Sequence, residues 1–245
     1  MRAELLETVG FELIDIQEFY SELLPNKHGR AIIGGTISGA NKEEYLSSGG
    51  KLTQIITKTD EDKSIALFCG IVTSCNIKSN GDVHYMTLGL MTQSILMDGK
   101  KHIRTFQNKG TDYRDIIDII IENYNKSAFI MTSGDDKKTP GFMCQYKETD
   151  WEYLKRLAFS ANTVIYSDYS VEGVKFFIGL PCRQEKLLRS EYYELGVDSG
   201  DESLLNSGKA YYKVAVREHY DIGERLTFLD EKLAVVARVS RLEHR

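Results

Sequence analysis

Ala66-Leu67-Phe68-Cys69-Gly70-Ile71-Val72-Thr73 is nearly continuous apolar chain, and Asn80-Gly81-Asp82 separates it from Val83-His84-Tyr85-Met86-Thr87-Leu88-Gly89-Leu90. Short apolar, β-branched runs bounded by Asn, Gly and Asp read as strands joined by turns. Upstream, Leu52-Thr53-Gln54-Ile55-Ile56-Thr57-Lys58 follows a Gly49-Gly50 turn, and Ala31-Ile32-Ile33-Gly34-Gly35-Thr36-Ile37-Ser38 lies between Gly29-Arg30 and Gly39. No helical crossover separates these four segments, which favours an antiparallel sandwich or small barrel over a parallel sheet.

Beyond residue 100 the period changes. Tyr113, Ile116, Ile117, Ile120, Ile121 and Tyr124 fall at helical spacing and form one apolar stripe, with Thr111 or Asp112 able to cap it and Asn125 able to end it. Thr149-Asp150-Trp151-Glu152 has capping-box spacing and opens a second helix whose buried face is Trp151, Leu154, Leu157 and Ala158. Strand character returns at 163–167 and 173–178, with Asp168-Tyr169-Ser170 suited to the turn between them. A polar loop over 197–203 precedes further strands at 211–217, 225–228 and 234–239. The fold class expected is β-rich (α+β): two small antiparallel β-barrels, 1–98 and 181–245, flanking a helix-containing middle over 99–180.

Composition excludes several classes. A chain of 245 residues buries roughly 70% or more of its unfolded surface and needs no metal or disulfide to hold a core. No apolar run is long enough for a transmembrane helix, and Met1-Arg2-Ala3-Glu4 opens without the apolar core of a signal peptide. Thirty-one basic against 36 acidic residues give a net charge of −5, which argues against a dedicated nucleic-acid binder. Cys69, Cys75, Cys144 and Cys182 lack metal or redox spacing and read as buried free thiols, a Cys69–Cys75 pair being the weaker alternative. Leu242-Glu243-His244-Arg245 carries no histidine run and is read as native sequence.

A search for chemistry returns little. The histidines at 28, 84, 102, 219 and 244 are scattered without ligand spacing. Ser38 lacks the flanking glycines of a nucleophile turn, and Gly34-Gly35 and Gly49-Gly50 lack the Gly-Lys-Ser/Thr ending of a phosphate loop. Asp60-Glu61-Asp62 and Asp135-Asp136 sit beside lysines and read as solvated turns rather than Ca²⁺ ligands or glycosidase carboxylates. Trp151 reads as a core anchor rather than a stacking platform, and His28 as a turn residue rather than a general base. Tyr211-Tyr212-Lys213 fits strand alternation better than a nucleic-acid surface. No residue takes a catalytic, cofactor-binding or metal-binding role; the interface residues are left unassigned.

Five segments, in order, carry a resemblance. Pro25-Asn26-Lys27-His28-Gly29-Arg30-Ala31 is similar to an "N-x-H" start of a first barrel, and Leu67-Phe68-Cys69-Gly70-Ile71-Val72 to the "x-F-x-G-I-V" strand after it. Arg104-Thr105-Phe106-Gln107-Asn108 resembles "R-S-F-Q-N" before a "D-I-I" helix. The run from Gln145 to Ala158 resembles "Q-Y-x-E-S-D-x-x-F-L-x-R-L", and Ile222-Gly223-Glu224-Arg225-Leu226 resembles "I-G-D-x-V" in a second barrel. These are motifs of the baseplate hub family of contractile injection machines: phage tail hubs, the late control protein D group and the N-terminal part of VgrG-type spikes. The likeness covers the chain from Tyr20 onward, without the needle base, lysozyme-like domain or β-helix spike of some relatives.

The resemblance implies a structural, non-enzymatic homotrimer in which six related barrels join a sixfold tail tube to a threefold spike and line the channel. Its implied partners are itself, the tail tube protein, the central spike protein, baseplate wedge proteins and a tape measure protein, with no cofactor and no specific nucleic-acid binding. It would be assembled in the bacterial cytoplasm and carried in a virion or released particle. Two other readings remain: a generic β-barrel binding module, and a cell-wall hydrolase hub component, which would gather histidine and carboxylates in one cleft.

Overall fold

The computed structural model describes residues 6–58, 64–187, 193–198, 209–214, 220–230, 233–239 and 242–244. The strands in chain order are β1 (Leu6–Val9), β2 (Asp15–Leu23), β3 (Arg30–Ile37), β4 (Leu52–Lys58), β5 (Ser64–Asn80), β6 (Val83–Met91), β7 (Lys101–Phe106), β8 (Ala128–Met131) and β9 (Met143–Thr149). They continue with β10 (Ile165–Ser167), β11 (Lys175–Ile178), β12 (Glu185–Leu187), β13 (Tyr193–Asp198), β14 (Lys209–Val214), β15 (Arg225–Asp230), β16 (Leu233–Arg238) and β17 (Leu242–His244). Helices are α1 (Lys42–Leu46), α2 (Tyr113–Ile121) and α3 (Asp150–Ser160).

The protein is mostly β, built on a curled antiparallel half-barrel. Its seven strands run β1-β4-β5-β6-β3-β2-β17. Gly81 and Asp82 form the turn that sets Asn80 opposite Val83, and Gly81 adopts a φ of +58° there, the left-handed region open to glycine. Strand β5 runs on past Thr73, through a bulge at Val72/Ser74, into the polar stretch Cys75–Asn80. Bulges in β2 against β3 and in β5 against β4 add curl to the same sheet. Its inward face buries Ile33, Ile55, Phe68, Met86 and Leu88, joined by Tyr166, Tyr169 and Ile222 from later in the chain.

A second core fills the middle. Tyr113, Ile116, Ile117, Ile120 and Ile121 of α2 are buried as the stripe requires, against Trp151, Leu154 and Leu157 of α3 and Ile165, Phe176 and Ile178 of β10 and β11. Helix α2 ends at Ile121, and Tyr124 follows in a turn whose amide bonds Ile121 O. Asp112 occupies the N-cap without a side-chain cap bond, its Oδ1 lying 3.4 Å from Lys138 Nζ, and Thr111 Oγ1 donates back to Asn108 O. The capping box of α3 is complete: Glu152 N donates to Thr149 Oγ1 at 3.1 Å and Thr149 N to Glu152 Oε2 at 2.8 Å.

Asp168 Oδ1 accepts from Ser170 N and Oγ, making the expected turn between β10 and β11. Strand β11 then takes β8 as a parallel neighbour. Two further strands, β7 and β9, form a ribbon that the sequence reading missed. Of the later segments, β12 pairs β15 in parallel, β15 pairs β16 and β13 pairs β14 antiparallel, and β13 extends through Val197-Asp198, which the polar composition had suggested was loop. The expected loop at 199–203, the end of the 211–217 run and Asp60-Glu61-Asp62 lie outside the described residues.

All four cysteines are free, but only Cys69 is buried. Cys75 and Cys144 are half-buried because the strands carrying them turn one face to solvent, and Cys182 is exposed. Among the described residues no helix is long and apolar enough to cross a membrane, and no three His, Cys, Asp or Glu side chains gather as a metal set.

Candidate functional site

Three of the quoted motifs, distant in sequence, supply residues around the N-terminus of α3. Asn26, in the left-handed region at φ 61°, pairs with β10 twice: its amide donates to Ile165 O at 2.7 Å and its Oδ1 accepts from Ile165 N at 3.0 Å. Gly29 N is shared between Thr92 Oγ1 at 3.0 Å and Ser167 Oγ at 2.9 Å. Between them, His28 stacks on Trp151 with ring centroids 4.5 Å apart. Its Nδ1 lies 2.8 Å from Ser94 Oγ and its Nε2 2.8 Å from Asp98 Oδ2. Asp98 Oδ1 takes the Thr149 hydroxyl at 2.5 Å, linking this chain of bonds to the α3 cap.

Ser94, His28 and Asp98 have the connectivity of a nucleophile, a base and an orienting carboxylate. Ser94 is only 1% exposed and bonds Thr92 Oγ1 at 2.9 Å, and Trp151 closes the face of the imidazole. With that hydroxyl buried, the three residues tie the loop before β3 to the α3 cap. Trp151 is the core anchor expected of it.

A second network starts one residue further along. Asp150, fully buried at the first turn of α3, accepts from both Nη1 and Nη2 of Arg104, from Gln145 Nε2 at 2.8 Å and from Tyr124 OH at 2.8 Å. Burial pushes its carboxyl up, and the bonds from Arg104, Gln145 and Tyr124 more than offset that, leaving it below the usual carboxylate value. Arg104 belongs to the third motif and Gln145 and Asp150 to the fourth, so the resemblance rests here on residues that hold one buried charge.

The last motif makes a third fastening. Gly223, at φ 88°, packs so closely on Pro181 O that any Cβ would collide with it. Asp221 meets Tyr169 OH and, at 3.3 Å, Arg183 Nη1. Asp135-Asp136 is an exposed turn in which Asp135 pairs Arg114 at 2.7 Å. The side chains of Tyr211 and Tyr212 lie outside the described residues, on β14.

A family model described as phage tail baseplate hub (GPD) matches residues 49–175. The chain belongs to that family. The match covers β4 to β6 of the half-barrel and both helices of the middle, including Asp98 and all the residues gathered on Asp150. No curated protein sequence matches the chain. Among solved structures, it resembles the Escherichia coli c3393 protein, a component of the type VI secretion system, at 14% identity and a TM-score of 0.55, covering 78% of this chain and 54% of that one. This hub-family chain therefore spans about half the length of that protein. A tail protein from Neisseria meningitidis matches with 10% identity and a TM-score of 0.57, over 93% of this chain and 72% of that one. A 43 kDa tail protein of a Shewanella oneidensis prophage matches with 11% identity and a TM-score of 0.55, over 80% and 60%. At these identities the likeness is one of fold.

Proposed function

We propose that the chain is the structural hub of a contractile tail or injection machine, a trimeric adaptor that joins the sixfold tail tube to the threefold central spike and lines the channel between them. The observation that carries this reading is the hub-family match over residues 49–175, from β4 through the helices of the middle. Residues 1–98 and 181–245 are in this reading the two tube-like units flanking 99–180, with β17 laid against β2 of the first sheet. Two related units per chain resolve the mismatch of symmetry, since three chains offer six similar docking faces. The partners are a second and third copy, the tube, spike and wedge proteins and a tape measure protein; the particle assembles in the bacterial cytoplasm. The polar networks serve as fasteners that keep the units in register under load, and no residue has a catalytic task.

Light scattering and negative-stain imaging of the purified chain, alone and mixed with the tube and spike proteins of its own system, test this. A threefold ring with a central hole that caps sixfold tube segments is the expected result. A monomer that binds neither protein overturns it.

A further inference from the structure

Between the end of β3 at Ile37 and the start of β4, residues 38–49 cross the rim of the half-barrel without joining the sheet. Among the described residues their backbone bonds stay inside the segment or its closing turn: Asn41 N donates to Ser38 O, Ser47 N to Glu44 O, Ser48 N to Tyr45 O and Lys51 N to Ser48 O. Attachment to the sheet resumes at Gly50, whose amide donates to Val72 O at 2.8 Å. Helix α1, at five residues, is too short to be stable by itself.

Only Tyr45 and Ser48 of this segment are buried. The Ser48 hydroxyl turns back on α1 and donates to Tyr45 O, so Tyr45 is the anchor. Its ring meets Phe11 edge-on, with centroids 5.1 Å apart, inside the concave core. Its hydroxyl accepts from Glu12 N at 2.9 Å and from Asn41 Nδ2 at 3.1 Å. The other ties to the body, Lys42 Nζ to Ser79 Oγ and Lys51 Nζ to Glu44 Oε1, are exposed. Both ends can pivot. Ser38, Gly39 and Ala40 are exposed at one end. At the other, a Cβ on Gly49 or Gly50 would have no atom within 4 Å, and Gly50 holds φ +80°.

We propose that residues 38–49 form a hinged lid that lifts from the rim as one unit, withdrawing Tyr45 and uncovering Phe11, while the seven strands stay paired. Local opening follows the weakest set of buried contacts, and here one aromatic ring and one hydrogen bond from Glu12 hold the whole segment. The lid gates the apolar interior of the half-barrel from that end. This goes beyond the hub reading and does not depend on ring formation.

The test is native-state hydrogen exchange of the whole chain, read residue by residue by NMR. The Ser47 and Ser48 amides, bonded within the lid, should exchange about a hundredfold or more faster than the paired amides of β3 and β6. The Glu12 amide is the decisive probe, because it lies outside the lid yet loses its acceptor when Tyr45 leaves. Its opening free energy should equal that of the lid amides. Tyr45→Phe keeps the ring and removes the bond from Glu12, and should speed exchange of Ser47 and Ser48 about tenfold without changing β3 and β6. Lid amides that exchange at the rate of the sheet, or that are unchanged in Tyr45→Phe, overturn the proposal. So does a Glu12 amide that stays protected while the lid amides exchange, which would describe fraying of α1 around a fixed Tyr45 ring.

Discussion

His28 Nε2 donates to Asp98 Oδ2 across 2.8 Å, although 70 residues separate the two in sequence. A carboxylate only accepts, so the proton of the neutral ring sits on Nε2 and Nδ1 is left to accept from the Ser94 hydroxyl. The bond polarity then runs one way, from Ser94 through His28 to Asp98, and Thr149 closes on Asp98 from the other side.

That arrangement has a pH signature. Burial is the largest influence on His28 and lowers its pKa from the ordinary 6.5; the bond and charge of Asp98 oppose this, and Lys155 adds to it. The unfolded chain therefore takes up a proton below 6.5 that the folded chain refuses. Stability is full above that value and falls as the pH drops toward the folded pKa. Urea unfolding from neutral to mildly acidic pH should show the decline, and His28→Gln should flatten it. An equal slope in both proteins would remove His28 as its source.

Asp150→Ala leaves the Arg104 guanidinium partly buried without its carboxylate, and should lower stability by about 3–5 kcal/mol. The double variant Arg104→Met/Asp150→Leu removes both charges and should recover much of that loss. Chemical denaturation of the single and double variants checks both expectations.

Thr149→Ala removes both the α3 cap and the bond to Asp98, a loss of about 1–2 kcal/mol. Thr149→Ser keeps the hydroxyl and should stay within about 0.5 kcal/mol of the parent. Thermal melts of the two variants distinguish a hydroxyl effect from a packing effect.

Tyr153 is buried with a hydroxyl that has no hydrogen-bond partner among the described residues. Burial pushes its pKa up to about 12. An unpaired buried hydroxyl costs about 1–3 kcal/mol, so Tyr153→Phe should raise the denaturation midpoint. A lowered midpoint would mean that the hydroxyl makes a bond in solution.

Elements set by local pattern were legible from the residues. The stripe from Tyr113 to Tyr124, the Thr149/Glu152 box and the Asp168 turn each depend on near neighbours; the box and the turn formed as read, and the stripe formed a helix that stops at Ile121, short of the expected end. The β7–β9 ribbon was not legible. Its alternation mixes Arg104 and Gln145 into the inward face, and Lys147, at φ 53°, is the extra residue of a bulge in β9 opposite His102/Ile103 and interrupts the period. The site depended on distance in space. Asn26, His28, Arg104, Gln145 and Asp150 stood in quoted motifs, yet nothing in their spacing showed that Ser94 and Asp98 would meet His28 or that Arg104, Gln145 and Tyr124 would gather on Asp150. The sequence signal that pointed to them was the polar character of positions otherwise flanked by core residues.

Strand β17 pairs with β2, setting Leu242 opposite Leu23 and His244 opposite Ser21. During synthesis the edge of β2 must wait for more than two hundred later residues to leave the ribosome before this neighbour exists. Until then β2 offers unpaired backbone that another nascent chain could take. Emergence of residues 242–244 thus sets the time at which the sheet is sealed, and slow translation of the stretch between β2 and β17 should favour misjoined chains over correctly closed ones.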